Sequence, residues 1–121
     1  MRFTKDHEWI DLQGDVAAVG VTAYAARKLG DVVFVDLSAV GQALKAGDAM
    51  ALVQGVNVTS NLPAPVDGAV TEANAALLDT PEAVNQDPEK TAWLVKLKVA
   101  DSAQVEALMD RPAYEDFLDS L

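Results

Sequence analysis

The 121-residue chain carries 19 acidic and 9 basic side chains, a formal charge of −10, with half its residues hydrophobic and no cysteine. That length suits one modest core without cross-links. The missing cysteines exclude disulfides, thiolate nucleophiles and the usual structural zinc sites, and a lone histidine excludes a multi-histidine metal centre. So acidic a surface repels phosphate backbones, so nucleic acid is not an expected partner. No apolar run approaches the roughly 20 residues a membrane span requires. The segment from Met1 to Trp9 is mixed charge and aromatic, unlike a secretory signal or an Arg/Ser-rich transit peptide, so a cytoplasmic location is expected.

In chain order, Ile10 to Leu12, a turn at Gln13-Gly14, and Asp15 to Val21 read as a β-hairpin. Thr22 is placed to cap a short helix through Lys28, and Gly30 supplies a left-handed stop. Val32 to Val35 is a β-branched and aromatic run too short for a buried helix. Further strands are expected at Met50 to Val56, Val58 to Leu62 and Ala69 to Glu72. Trp93 to Val99 alternates, with Val95, Leu97 and Val99 inward and Lys96 and Lys98 toward water.

Near the end the period changes. Asp101 or Ser102 can cap a helix carrying Val105, Leu108 and Met109. Asp110 and Pro112 then open a last helix, where Tyr114, Phe117, Leu118 and Leu121 form a stripe expected to dock on the β core. Two stretches share a weak pattern of apolar residue, tight turn and return strand. One runs from Val40-Gly41 through Leu44 to Gly47-Asp48, the other from Pro65-Val66-Asp67-Gly68 through Val70 to Asn74. The expected architecture is mainly β, largely antiparallel, with short helices including a C-terminal one, in a single domain over residues 1–121.

Catalytic groups are hard to find. Ser38, Ser60, Ser102 and Ser120 lack the glycine pattern of a nucleophile elbow. Asp6-His7-Glu8 reads more simply as an exposed polar turn than as a general base. Gly-Asp pairs at 14–15, 30–31 and 47–48 are strand-entry turns, since no glycine-rich loop precedes a helix in the order a phosphate cradle needs. Glu115-Asp116 falls on the outer face of the last helix. The chain is not expected to be an enzyme. What remains is Met50 to Leu62, two β-rich arms around Val56-Asn57, and asparagine suits a hairpin tip because it tolerates positive φ.

Over nearly its whole length the sequence resembles the H-protein family of the glycine cleavage system. Phe3-Thr4-Lys5-Asp6-His7-Glu8-Trp9 is similar to that family's opening Y-T-x-E/D-H-E-W. Gly20-Val21-Thr22-Ala23-Tyr24-Ala25 and the run from Leu29 to Leu37 are similar to its G-I-T-x-Y-A and L-G-D-I-V-F-V-E-L blocks. Ala64-Pro65-Val66-Asp67-Gly68 resembles A-P-V-S-G, the run from Pro81 to Pro88 resembles P-E-L-V-N-E-D-P, and Trp93 to Leu97 follows at the family's spacing.

The resemblance implies a barrel-sandwich hybrid, the fold of lipoyl and biotinyl carriers. It implies a shuttle whose lipoyl arm, amide-linked to a lysine, takes an aminomethyl group from glycine decarboxylase. The arm presents that group to the aminomethyltransferase and is reoxidised by dihydrolipoyl dehydrogenase. Such a carrier, usually a monomer, works by tethering, which raises the effective concentration of a reactive group at each partner.

The family's attachment segment E-S-V-K-A-A-S-D aligns with Gln54-Gly55-Val56-Asn57-Val58-Thr59-Ser60-Asn61, which places Asn57 at the lipoyl-lysine position. Lipoylation needs an amine, and a carboxamide nitrogen is delocalised into its own carbonyl. No lysine lies between Lys45 and Lys90. Lys45 reads as a turn residue at the opposite hairpin and Lys90 as part of a loop. Glu89-Lys90-Thr91-Ala92 also replaces the family's Y-G-E-G, which is expected to disturb a partner-facing loop. The expectation is a carrier scaffold without lipoate. Alternatives are a regulatory decoy for the partner enzymes, or a scaffold remodelled by design or drift that retains only its fold.

Overall fold

A computed structural model describes residues 1–121. Strands β1 (Arg2–Phe3), β2 (Glu8–Gln13) and β3 (Val16–Val21) lead into helix α1 (Ala23–Leu29), followed by β4 (Val32–Leu37) and β5 (Ala43–Leu44). The hairpin β6 (Ala49–Gly55) and β7 (Thr59–Pro63) precedes β8 (Gly68–Ala73), two single-turn helices α2 (Ala76–Asp79) and α3 (Ala83–Gln86), and β9 (Val95–Val99). Helices α4 (Ser102–Glu106) and α5 (Arg111–Asp119) close the chain. One sheet has the order β1-β2-β3-β9-β8-β5, the other β4-β6-β7, and every pairing is antiparallel.

The sheets face each other across one apolar core. Ile10, Ala17, Val19, Val70 and Leu97 from the larger sheet meet Val32, Val35, Met50, Val53 and Leu62 from the smaller, all nearly inaccessible to water. The alternation in β9 holds, with Val95 and Leu97 buried and Lys98 exposed. The two rhyming stretches pair with each other. Ala43 faces Ala69 and Leu44 faces Gly68, while Gly41 N–H donates to the Val70 carbonyl at 2.8 Å.

Expected helix caps are in place. Thr22 accepts from Ala25 N–H, Asp101 from Ala103 N–H and Asp110 from Ala113 N–H, and Gly30 ends α1 with φ +71°. Each side-chain acceptor satisfies one of the donors that a helix start leaves unpaired.

The C-terminal stripe docks through fewer residues than its spacing predicts. Tyr114 is buried and stacks on Phe3 with ring centroids 4.7 Å apart, and Phe117 and Leu118 are half-buried. Leu121 lies beyond the end of α5 and is exposed, because the helical period stops at Asp119. Met109 likewise leaves its helix and bridges β1 instead, exchanging backbone hydrogen bonds with Phe3 at 2.7 and 3.1 Å.

Trp9 shows how tightly the opening motif is packed. Its indole N–H donates to the Pro88 carbonyl at 2.8 Å, and the ring lies where a β-carbon on Gly20 would fall, 2.7 Å from Nε1. Only glycine fits beneath that ring.

Candidate functional site

The β6–β7 hairpin runs from Ala49 opposite Pro63 to Gln54 opposite Thr59, and Gly55 N–H donates to the Val58 carbonyl at 2.9 Å to close the tip. Asn57 is exposed there between Val56 and Val58, two valines that are 65 % and 51 % accessible. Val33 and Phe34 on the neighbouring β4 are about half exposed as well. The tip therefore shows water an apolar surface of the kind that interaction sites present.

The tip also rests on a platform. Asn57 N–H donates to the Leu29 carbonyl at 3.0 Å, and Val56 N–H to the Asp31 carbonyl at 2.9 Å. These acceptors belong to the end of α1 and the turn after it, where carbonyls lack intrahelical partners. Two glycines permit the approach. A β-carbon on Gly30 would fall 2.7 Å from Asn57 Nδ2, and one on Gly55 would run into the Leu29 carbonyl oxygen. His7 alone among non-glycine residues has a positive φ, so the tolerance of asparagine for left-handed backbone is not what places Asn57. Docking against α1 does that.

The side chains at the tip are a carboxamide and two valines, with no amine among them. Lys28 lies in the helix that backs the tip, but its ammonium sits over the Tyr24 ring, 5.3 Å from the centroid. Lys45 lies just before the base of the hairpin and Lys90 in the loop after α3.

The Asp6-His7-Glu8 segment is not the exposed polar turn its composition suggests. His7 adopts φ +63°, and its Nδ1 lies 2.8 Å from the Tyr114 hydroxyl, which also meets Thr22 Oγ1 at 2.8 Å. Burial lowers the His7 pKa, against an opposing pull from Asp6, and Lys28 lowers it further. Glu8 is fully buried. Thr4 Oγ1 donates to its Oε1 at a long 3.4 Å, and Oε2 has no partner. Desolvation, reinforced by the charge of Asp6, pushes the Glu8 pKa up to about 9, so the side chain is neutral at pH 7.

Glu89 has a structural task. Its Oε2 accepts Ala23 N–H at 2.8 Å at the start of α1, and its Oε1 pairs with Arg111 Nη2 at 2.9 Å. The departure from the family at this loop is therefore a clamp between α1 and α5. No local pattern announces it, because Glu89 and Arg111 lie 22 positions apart.

A hairpin tip held out from a two-sheet sandwich is the layout of a carrier domain, which offers a group to other proteins rather than transforming it. Similarity to known proteins makes the class particular. The family model described as "Glycine cleavage H-protein" matches residues 1–121. The chain is 55 % identical over 118 residues to the glycine cleavage system H protein of Phenylobacterium zucineum, covering 98 % of each chain. It is 53 % identical over 121 residues to that of Caulobacter vibrioides, covering both completely. A crystal structure of a glycine cleavage system H protein from Mycobacterium marinum superposes with a TM-score of 0.87 at 34 % identity, covering 98 % of this chain and 95 % of that one. The chain belongs to the glycine cleavage H-protein family. Its fold is the barrel-sandwich hybrid of that family, a family of carriers rather than enzymes.

Proposed function

We propose that this chain is an H-protein scaffold that is not lipoylated, because Asn57 occupies the attachment position. One observation carries the reading: the exposed tip residue at that position is a carboxamide. An activated acyl group needs a nucleophilic amine, which the amide of Asn57 does not supply. In this reading residues 1–121 work as one monomeric domain in the cytoplasm, and the aminomethyl shuttle of the family does not run on this chain.

A second role is favoured by the apolar collar of Val33, Phe34, Val56 and Val58. With it, the chain acts as a non-carrying decoy for glycine decarboxylase, the aminomethyltransferase or dihydrolipoyl dehydrogenase. Failure to bind any of the three reduces the chain to an inert scaffold.

The test is incubation with a lipoate ligase and lipoate, read by intact mass. The wild-type chain should gain no lipoyl mass, and a lipoyl adduct on it would refute the proposal. Asn57→Lys should become at best partly lipoylated, because Gln54 and Asn61 also replace the acids that flank the family's lysine. Titrating the unmodified chain against each partner enzyme, with solution affinity as the readout, separates decoy from scaffold.

A further inference from the structure

We infer that Asn85 is the positioning residue of the hairpin tip, although it lies outside the hairpin and does not touch it. The connection between α1 and β4 is only Gly30-Asp31, and three successive carbonyls there point to three different donors. Leu29 accepts from Asn57 N–H at 3.0 Å, Gly30 from Asn85 Nδ2 at 2.8 Å, and Asp31 from Val56 N–H at 2.9 Å. Asn85 Oδ1 meanwhile accepts Val32 N–H at 2.8 Å, so one carboxamide spans the turn from Gly30 to Val32.

The arrangement requires both ends of that side chain. An aspartate would keep the acceptor for Val32 but lose the donor to Gly30, and an apolar residue would lose both. Asn85 is solvent-exposed, so packing does not select asparagine there, while Val84 beside it is fully buried and anchors α3 to the core. The anchored turn of α3 thus fixes the platform, and the platform fixes residues 56 and 57. Val32 is also the residue paired with Gly55, next to a register shift in β4, so freeing the platform loosens the hairpin at its tip rather than its base. This role does not depend on what residue 57 carries.

Amide hydrogen exchange on the full-length chain tests it. In the wild type, the Val56 and Asn57 amides should be protected despite their exposed side chains. Loss of two hydrogen bonds of ordinary net strength in Asn85→Ala should speed their exchange about tenfold or more, while Val19 and Val95 in the large sheet keep their wild-type rates. Asn85→Asp should speed the tip amides while leaving Val32 protected. Asn74→Ala, which removes a side chain donating to Thr91 and Trp93 carbonyls, is the matched control and should leave the tip unchanged. The inference is overturned if the wild-type tip amides exchange unprotected, if neither Asn85 variant changes them, or if Asn74→Ala speeds them equally.

Discussion

Glu8 offers the sharpest quantitative test. Its carboxyl is fully buried, with one long hydrogen bond and one orphaned oxygen, and its pKa is raised from 4.5 to about 9 by burial first and by Asp6 second. Between those values the folded state holds a proton that the unfolded state has released. Stability is therefore greatest below pH 4.5 as far as this group is concerned, and falls as pH rises toward 9. The full slope is about 1.4 kcal/mol per pH unit, so the step from pH 7 to 8.5 should cost about 2 kcal/mol. That window also isolates the group. His7, whose ordinary value of 6.5 is lowered by burial, is largely neutral in both states there, and its opposite contribution is lost mainly as pH falls through 6.5. Urea unfolding at pH 7.0 and 8.5 should show the decline in wild type and not in Glu8→Gln, which is neutral throughout. At pH 7 Glu8→Gln should be more stable than wild type, by an amount on the order of 3 kcal/mol at most. A wild-type stability that is flat across the window, or an equal decline in Glu8→Gln, would refute the buried neutral carboxyl.

Other substitutions probe single contacts. Gly55→Ser puts a β-carbon into the Leu29 carbonyl and should cost roughly 1–3 kcal/mol by urea titration, with loss of Asn57 amide protection; unaltered protection would count against the docked tip. Gly20→Ala should displace the Trp9 indole and break its bond to Pro88, visible as a shift in tryptophan emission and a loss of about 1–3 kcal/mol. Glu89→Ala removes an acceptor at the start of α1 and a part-exposed ion pair with Arg111, so a loss of about 1 kcal/mol is expected in thermal melts. Arg111→Ala should cost less, since that side chain is half exposed and the pair is screened.

Where structure follows nearest neighbours in the chain, the sequence was readable. The alternation of β9 and the caps Thr22, Asp101 and Asp110 act over two to four residues, and their chemistry is visible in the letters. The small helices α2 and α3 went unread for the same reason. Each is one turn without a side-chain cap, and four residues cannot display a helical period. Leu121 misled because a stripe can be counted past the point where its helix stops.

By itself the sequence determined the mainly β class, its family resemblance, and the absence of an amine at residue 57, because side-chain type and local spacing fix those properties. Only the tertiary structure decided that Glu8 is buried and neutral, that Glu89 clamps α1 to α5, and that the tip rests on the Leu29 and Asp31 carbonyls, either side of the Gly30 carbonyl that Asn85 binds. Desolvation and long-range hydrogen bonds depend on which surfaces meet after folding. A charged letter looks the same in water and in a core until the chain closes around it.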